Sequence, residues 1–271
     1  MMRRFLIAGC QRSGTTMMRL ILESHKDVHC IDETLSYEML AGRVEQPDMA
    51  SAALGFKIPV WSEQLLQAQL HWNEYSYLYG VEPVPNFYDR EPLIFMVRGP
   101  LDTVSSMMRL RVESDSWLQR VGVPVVRAMA EGGRLSASLR DEFDFAVGCE
   151  DPDVAIGALY WKIKSRAALS YLEAGLPVHL IVYERFVATP EAYLPAVLRH
   201  IGVDWDEGVL QHHERPHGEI VDGKAIGDTD PARAIDTCSI GHSNAHLSEL
   251  QTQLIDRIAG DLERTLNRLS P

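Results

Sequence analysis

The sequence has few cysteines, and none of them is close to another. Its 271 residues include four, Cys10, Cys30, Cys149 and Cys238, with no C-x-x-C pair among them. This separation disfavours a zinc site or a redox dithiol. The even count leaves one or two disulfides as an alternative. A chain long enough to bury a full core has no need of them, so we expect reduced thiols and a cytoplasmic location.

Basic residues are also scarce, since 26 Lys and Arg face 38 Asp and Glu and give a net charge of −12. A nucleic-acid-binding domain normally carries a basic surface, so we expect no nucleic-acid partner. No apolar run approaches the roughly 18 residues that cross a bilayer, and we expect no membrane span. The apolar stretch near the N-terminus ends at Gln11 and Arg12, too soon for a secretory signal.

What the chain does contain is a series of short apolar runs that alternate with helical patterns. The runs are Phe5–Ala8, Val28–Ile31, Pro92–Val97 and Pro177–Tyr183. The helical patterns begin near Thr15 and Pro100 and cover Ala155–Leu172, Thr189–His200 and Leu247–Leu269. This alternation predicts an α/β fold, a central parallel sheet with helices on both faces. We expect a single domain over residues 1–271, with an irregular insertion of short helices at about 113–150 and a long loop at about 218–242.

A candidate anion-binding loop, GCQRSGTT at residues 9–16, follows the first run and opens the first helix. The N–H groups at a helix N-terminus and the helix dipole favour an anion there. We expect Arg12, Ser13, Gly14, Thr15 and Thr16 to bind a phosphate through backbone N–H groups, hydroxyls and the planar guanidinium.

This loop differs from the G-x-x-x-x-G-K-[ST] loop of nucleotide triphosphatases at one position. Both glycines and the final hydroxyl match, but Thr15 stands where the lysine that reaches the β- and γ-phosphates is found. The clearest apolar strand ends in Arg98, and no apolar strand is expected to end in an Asp that holds magnesium. The loop therefore predicts a phosphate site, and we expect no metal.

A second candidate anion site follows that clearest strand. Arg98 ends the strand, and Ser106 lies two turns into the next helix, so both side chains can grip a phosphate in the crevice where parallel strands end. An Arg98 paired with Asp102 and a solvated Ser106 explain the same residues equally well. Tyr183 ends another strand of the predicted sheet.

Together, G-x-x-R-S-G-T-T and R-x-P-x-D-x-x-x-S resemble two motifs of the sulfotransferases that use 3′-phosphoadenylyl sulfate, PAPS. The segments VYERF (182–186) and IGVDW (201–205) are similar to R-Y-E-D-L and L-G-L-P-W of that family, so the resemblance covers residues 4–210. It implies a P-loop nucleotide-hydrolase-like three-layer architecture. It also implies that the first loop binds the 5′-phosphate end of PAPS, that Arg98 and Ser106 bind the 3′-phosphate, and that Tyr183 supports the adenine. Gly99 departs from the family, which usually has Asp there.

The tyrosylprotein sulfotransferase branch is more similar still. The segment CIDET (30–34) is similar to its G-E-E-T, and KIP (57–59) resembles its K-x-P. The resemblance makes Glu33 the catalytic base, with Asp32 as a rival, and implies that Lys57 contacts the transferring sulfate. A solvated surface lysine is the other interpretation of Lys57. In the expected mechanism, Arg12 helps to offset the charge that grows on the sulfuryl oxygens. A purely structural role for Glu33 in the first turn of a helix is the other interpretation. That branch is membrane-anchored, so a protein tyrosine substrate is not implied.

The expected activity is therefore transfer of the sulfuryl group of PAPS to a hydroxyl or phenol, with release of adenosine 3′,5′-bisphosphate. A small molecule, a lipid or a glycan remains open as the acceptor, and the sequence carries no signal for an oligomeric state. Lys224 and Arg233 lie in the long loop and are expected to close over the 3′-phosphate. The alternatives are a P-loop kinase or nucleotidase that uses magnesium ATP, and a nucleotide-binding protein without catalysis.

Overall fold

A computed structural model describes residues 2–46, 51–65, 74–79, 88–218 and 220–270. Five strands form one sheet in the order β2-β3-β1-β4-β7, and every neighbouring pair is parallel. The strands of the described residues are β1 (Arg3–Gly9), β2 (Val28–Ile31), β3 (Ala53–Lys57), β4 (Leu93–Val97), β5 (Arg111–Val112), β6 (Asp115–Ser116) and β7 (Val178–Val182). The short β5 and β6 form a separate antiparallel hairpin. The predicted parallel sheet is confirmed.

Ten α-helices are present in the same described ranges, together with short 3₁₀ and π segments. They are α1 (Thr15–Glu23), α2 (Glu33–Leu40), α3 (Glu74–Tyr79), α4 (Pro100–Arg109), α5 (Val123–Glu131), α6 (Ala137–Gly148), α7 (Pro152–Glu173), α8 (Tyr183–Ala188), α9 (Pro190–Ile201) and α10 (Glu249–Leu269). Several begin at predicted signals. Pro100 and Pro190 stand at first helical positions, where the missing N–H costs no hydrogen bond. Ser248 and Gln251 form a capping box before α10.

Both faces of the sheet are covered by helices. Phe5 and Ile7 of β1 join one apolar cluster with residues of α1, α8 and α9, whereas Leu6 and Ala8 join a second with residues of α4, α7 and α10. All four side chains are buried. A strand buried on both faces has no polar alternation, which explains the continuous apolar run in the sequence.

The strand β3 is not predicted from the sequence, although it lies between β1 and β2. Its five residues contain Gly55, and a glycine within a short apolar run indicates a break in a strand. In the structure a Cβ at Gly55 would lie 2.4 Å from Cζ of Phe5, so the glycine makes room for the aromatic ring of the neighbouring strand. This placement brings Lys57, at the end of β3, next to the end of β1.

The segment at 113–150 is more regular than the sequence suggests. A π-helical stretch at 118–122 runs directly into α5, and α6 packs on α7. Gly122 lies within this helical path and does not interrupt it. A Cβ at this position would lie 3.2 Å from side-chain atoms of Leu118 and Trp117, so the glycine allows these side chains to pack closely. The long loop contains only two isolated antiparallel bridges, Val221–Lys224 and Ala225–Thr229. The single-domain organisation stays a prediction. In the described residues, no helix has the length and apolar character needed to cross a membrane.

Candidate active site

The first anion-binding loop connects β1 to α1 by way of two glycines that sterics require. Gly9 and Gly14 have φ angles of 138° and 92°, in the region that favours glycine. A Cβ at Gly9 would lie 2.2 Å from the carbonyl oxygen of Met96, and one at Gly14 would lie 2.6 Å from Cδ2 of Tyr183. The loop therefore packs against the ends of both neighbouring strands, β4 and β7.

The N-terminus of α1 points into a cavity of about 320 Å³, called here the cofactor cavity. Gly14 at the N-cap receives no side-chain cap, and the first turn carries no acidic residue, so the helix start presents N–H groups to the cavity. Arg12, Thr15 and Thr16 also line it. Ser13 behaves differently from the prediction: its buried hydroxyl donates to the carbonyl of Cys10 at 2.6 Å and lines neither this cavity nor the larger one described below.

Arg12 and Arg98, from the two predicted anion sites, open into this same cavity. The Arg98 guanidinium lies 4.8 Å from the centre of the Tyr183 ring and donates to the backbone carbonyl of Arg12 at 3.4 Å. Burial and the neighbouring Arg98 charge lower the pKa of Arg12 to about 10. The Nε of Arg98 is buried without a hydrogen-bond partner. The two guanidinium groups lie close together and are largely shielded from water, so their positive charges repel each other. A bound anion would reduce that repulsion.

The contacts around Arg98 differ from the alternative in which Arg98 pairs with Asp102 and Ser106 faces solvent. Asp102 accepts the backbone N–H groups of Gly241 and Ser243 at 2.7 and 2.8 Å, and among the described residues no ion pair within 4.0 Å joins it to Arg98. Burial alone would raise the pKa of Asp102, but these N–H groups lower it. Ser106 is buried and accepts from Nε of Arg12 at 3.0 Å, so it supports Arg12 rather than facing solvent.

Gly99 stands where the sulfotransferase motif usually has Asp. In the structure, carboxylates from two other elements, α8 and α10, lie beside the Gly99 backbone. Its N–H donates to Oε1 of Glu184 at 2.8 Å. A Cβ at Gly99 would lie 3.0 Å from Oε1 of Glu263 on α10. The space beside the Gly99 backbone is thus already occupied by acidic side chains from α8 and α10.

The long loop closes over the cofactor cavity through backbone carbonyls. Arg12 donates to the carbonyl of Gly227, and Arg98 donates to that of Ser239 at 2.5 Å. The Ser239 hydroxyl also lies 2.5 Å from the hydroxyl of Tyr183. These loop contacts hold both arginines at the cavity wall.

Two further cations of that loop, Lys224 and Arg233, line the cofactor cavity, and their closing over the 3′-phosphate stays a prediction. Each has an acidic partner: Lys224 lies 4.0 Å from Asp230, and Arg233 pairs with Asp236. The sequence did not identify His212, which is buried at the same cavity. Burial and the neighbouring His217 lower the pKa of His212 to about 4, so its ring is neutral at pH 7.

Lys57 is the centre of a buried group that we call the Lys57 cluster: Lys57, Asp32, Glu33, Thr16 and Arg19. Its ammonium lies 2.7 Å from Oδ1 of Asp32 and 3.3 Å from Oε2 of Glu33. It also donates to Oγ1 of Thr16 at 3.0 Å. Lys57 therefore brings a positive charge to the phosphate loop, where Thr15 replaces the usual lysine.

Within this cluster, the two adjacent carboxylates have different surroundings. Asp32 is the N-cap of α2, accepts the N–H of Glu33 at 2.7 Å and lies 3.6 Å from Nε of Arg19. Burial would raise the pKa of Asp32, but Lys57 and Arg19 outweigh it and lower that pKa. Burial raises the pKa of Glu33 against the opposing charge of Lys57. Glu33 has one further contact, from the Tyr37 hydroxyl at 3.3 Å, and is the better placed of the two to accept a proton.

Asp32 also bears on one step of the sequence argument. It directly follows β2, a position that the sequence argument about a magnesium-holding aspartate did not consider; that no strand-end aspartate holds magnesium stays a prediction. The Lys57 ammonium and the Glu33 N–H take one of its oxygens, and Arg19 faces the other. A carboxylate with these partners is poorly suited to hold magnesium beside a phosphate.

A larger cavity of about 1190 Å³, called here the acceptor cavity, adjoins the cofactor cavity. Arg12, Thr15 and Thr16 line both, and Glu33 lines the larger one. Much of its wall is apolar, with contributions from Leu35, Pro59, Val60, Leu78, Leu110, Val112, Trp117, Val121, Val221 and Ile226. A molecule in this space reaches both the Glu33 carboxylate and the phosphate loop.

A second buried cluster, which the sequence did not reveal, lies on the other side of the phosphate loop. We call it the Lys164 cluster: Lys164, Glu63, Glu74, Tyr160 and Gln11. Lys164 lies 2.5 Å from Glu63 and 2.8 Å from Glu74, and Gln11 donates to Glu74 at 2.8 Å. The one available signal was a lysine within the apolar pattern of the helix that became α7.

Comparison with known proteins agrees with this architecture. The model of the Sulfotransferase family matches residues 4–78. Protein-tyrosine sulfotransferase 1 of Danio rerio is 27% identical over 229 residues, covering 77% of this chain and 55% of the relative. The protein-tyrosine sulfotransferase of Drosophila melanogaster is 25% identical over 238 residues, covering 78% and 41%. The chain thus spans about half the length of the curated relatives it matches.

Solved structures match over nearly the whole chain. The sulfotransferase domain from the curacin biosynthetic pathway superposes with a TM-score of 0.60 at 16% identity, covering 97% of this chain and 98% of that one. Mouse sulfotransferase SULT7A1 complexed with PAP has a TM-score of 0.54 at 12% identity, covering 99% and 89%. At these identities the superposition shows a shared fold.

The parallel sheet, with a candidate anion-binding loop after β1 and a second arginine after β4 at the same cavity, defines an α/β protein with the fold of the solved sulfotransferase structures. Residues 4–78 of the chain are similar to the Sulfotransferase family, and its sequence relatives include protein-tyrosine sulfotransferases.

Proposed function

We propose that this protein transfers the sulfuryl group of PAPS to a hydroxyl or phenol of an acceptor and releases adenosine 3′,5′-bisphosphate. One observation carries the proposal: Arg12 and Arg98 face one cavity, and Lys57 links the loop of that cavity to Glu33. An arginine at each of two neighbouring strand ends suits a ligand with two separate phosphates.

The residues of the cofactor cavity fit the sulfuryl donor. The start of α1 and Arg12 suit the 5′-phosphate end, and Arg98 with its unpartnered buried Nε suits the 3′-phosphate. Ser106 acts through Arg12, and Tyr183 acts as the stacking support of Arg98. Lys224 and Arg233 are the candidates for closing over the 3′-phosphate. To do so, Lys224 would leave Asp230 and Arg233 would leave Asp236.

PAPS, when bound, supplies a sulfuryl group whose bond to the phosphate oxygen can break. Glu33 takes the proton of the acceptor hydroxyl as its oxygen forms the new bond to sulfur, and the electron pair of the broken bond leaves on the bisphosphate. The raised pKa of Glu33 strengthens it as a base once ionised. Lys57 and Arg12 offset the negative charge that grows on the sulfuryl and bridging oxygens.

The alternative of a magnesium-dependent kinase or nucleotidase has less support. Thr15 replaces the loop lysine, and Lys57 brings its charge from β3 instead. A nucleotide binder without catalysis would give no reason for Glu33 to face the acceptor cavity beside Lys57. That no metal takes part stays a prediction.

The apolar walls of the acceptor cavity favour a hydroxyl or phenol on a largely apolar body, a small molecule or a lipid, over a glycan. The relatives named protein-tyrosine sulfotransferases make a tyrosine of a polypeptide the second candidate acceptor. Incubation with ³⁵S-labelled PAPS and separate panels of phenols, lipids, glycans and tyrosine peptides would distinguish them. All four cysteines are free thiols in the structure, which supports the proposal of a reducing, cytoplasmic location.

The Arg98→Ala variant tests the assignment of the two phosphates. Calorimetry with adenosine 3′,5′-bisphosphate should show binding weakened about 10- to 100-fold, the usual effect of losing a charged hydrogen-bond partner. AMP, which lacks the 3′-phosphate, should lose far less. Arg185→Ala is the matched control, because Arg185 donates to carbonyls at the end of α10. Equal losses for both nucleotides would contradict the proposal.

A further inference from the structure

Three side chains of the Lys164 cluster form a closed ring of contacts at the phosphate loop. The Tyr160 hydroxyl lies 2.6 Å from Oε1 of Gln11 and near both oxygens of Glu74, at 2.8 Å from Oε2 and 2.9 Å from Oε1. Nε2 of Gln11 lies 2.8 Å from Oε1 of Glu74. All three residues are buried, and Gln11 and Glu74 line the acceptor cavity.

Counting hydrogens shows that this ring needs a proton on Glu74. Each of the three residue pairs requires a hydrogen, but Gln11 can direct only one of its two amide hydrogens into the ring and the Tyr160 hydroxyl supplies one. Rotating the Gln11 amide by half a turn exchanges its oxygen and nitrogen and leaves the same count. The third hydrogen has to sit on the Glu74 carboxyl, which then donates to Tyr160 while Tyr160 donates to Gln11.

An ionised Glu74 cannot complete the ring. The single Tyr160 proton would be drawn to the carboxylate, because a charged acceptor makes the stronger hydrogen bond. Two oxygens would then face each other at the 2.6 Å contact between Tyr160 and Gln11 with no hydrogen between them. That contact has to open, and Gln11 is a residue of the phosphate loop between Gly9 and Gly14.

The charged groups that face Glu74 are consistent with a neutral carboxyl. Lys164 lies 2.8 Å from Oε2 of Glu74 and favours its ionised form, but the same ammonium lies closer to Glu63, at 2.5 Å, so one positive charge faces two acidic groups. Tyr160 and Cys10 both stay neutral, because burial raises each pKa well above its usual value. Burial raises the pKa of Glu74 to about 7 against the opposing charge of Lys164.

We infer that Glu74 is a positioning residue of the phosphate loop: its neutral form completes the ring with Tyr160 and Gln11, and loss of its proton opens the ring at Gln11. The inference rests on the proposed function for its ligand, because the loop is taken to hold the 5′-phosphate end of the bisphosphate. It makes binding at the loop respond to the protonation state of Glu74.

Glu74→Gln tests this, because glutamine has the shape of the neutral carboxyl and a permanent donor. The Kd of adenosine 3′,5′-bisphosphate is measured for both proteins at about pH 6 and about pH 8. Phosphates themselves titrate near pH 6, so the readout is the ratio of wild-type to variant Kd at each pH. That ratio should rise about fivefold from the lower to the higher pH, the usual effect of one lost hydrogen bond. A ratio that does not change overturns the inference.

Tyr160→Phe provides a second variant, since it removes the hydroxyl for which Gln11 and Glu74 compete. Its binding should follow pH as that of Glu74→Gln does. Glu263→Gln is the matched control: burial and Glu184 also raise the pKa of Glu263 to about 7, but no contact joins it to Gln11 among the described residues. It should keep the wild-type dependence on pH.

A readout without ligand separates this inference from the proposed function. The side-chain amide signal of Gln11 in ¹⁵N NMR, assigned by its loss in Gln11→Ala, should move with pH in the wild type and stay fixed in Glu74→Gln. A signal that ignores pH in both proteins overturns the inference whatever the ligand. Failure of every protein to bind the bisphosphate, with the Gln11 signal still moving, would contradict the proposed function alone.

Discussion

The Lys57 and Lys164 clusters contain the same chemical parts in different surroundings. Each has a lysine that is 1% exposed and two carboxylates within 3.3 Å of it. Each also touches the phosphate loop, Lys57 through Thr16 and the Lys164 cluster through Gln11. The difference is access, because the Glu33 side chain is 17% exposed and that of Glu74 is 0% exposed.

A lysine with two carboxylates therefore does not by itself distinguish a catalytic cluster from a structural one. In the Lys57 cluster, a second cation, Arg19, helps to keep Asp32 ionised, and Glu33 is left open to the acceptor cavity. In the Lys164 cluster, every polar group has a protein partner, and the extra carboxyl is satisfied by holding a proton. The open cluster suits proton transfer to and from a ligand, whereas the sealed one suits positioning.

The largest effect is expected from removing the carboxylate of the open cluster. Glu33→Gln should lower the turnover of sulfuryl transfer about 1,000-fold, the usual contribution of a general base. Affinity for adenosine 3′,5′-bisphosphate should survive, because Glu33 does not line the cofactor cavity. Turnover is followed with ³⁵S-labelled PAPS and affinity by calorimetry. Unchanged turnover would remove Glu33 from the mechanism and leave Asp32 as the base.

Replacing the two lysines sharpens the contrast between the clusters. Lys57→Met and Lys164→Met should each cost about 3–5 kcal/mol in the free energy of unfolding, because each leaves a carboxylate, Glu33 or Glu63, without its cation. Only Lys57→Met should also lower turnover, by about 100-fold at a temperature where both variants stay folded. Urea unfolding and turnover assays check this. Equal turnover in the two variants would show that Lys57 is structural.

The pH dependence of turnover tests which carboxylate carries the reaction. A base acts in its ionised form, so kcat/KM should rise with pH through the pKa of Glu33, which burial raises above its usual value. Asp32, whose pKa is lowered by Lys57 and Arg19, would place that rise at lower pH. A rise below the usual range of glutamate would favour Asp32, and its disappearance in Asp32→Asn would establish that assignment.

The smallest effect concerns stability and the sealed cluster. Burial raises the pKa of Glu74 in the folded protein from 4.5 to about 7. The stability that this carboxyl contributes is therefore complete below about pH 4.5 and is lost as the pH rises through about 7. Glu74→Gln cannot lose a proton, so its unfolding free energy should gain on the wild type by about 1–3 kcal/mol between these pH values. A difference that stays constant in urea unfolding at both pH values would contradict this.

Much of the fold and part of the site could be predicted, because both have local signatures. The run from Phe5 to Ala8, the glycines of the phosphate loop and Pro100 each mark a neighbouring piece of backbone, and the structure has a strand, a turn and a helix there. The Ser13 hydroxyl was misassigned, because the sequence shows a hydroxyl but not its direction. β3 was missed because Gly55 looked like a break, and its reason is the Phe5 ring of another strand.

The sequence by itself determined the phosphate loop and the two arginines, since a tight turn, a helix start and a strand end are properties of contiguous residues. Only the tertiary structure decided that Lys57 reaches Thr16, that Gly227 and Ser239 hold the arginines, and that Glu74 meets Gln11. Strand pairing brings together residues that are distant in the chain, and a backbone carbonyl accepts a hydrogen bond whatever side chain it carries.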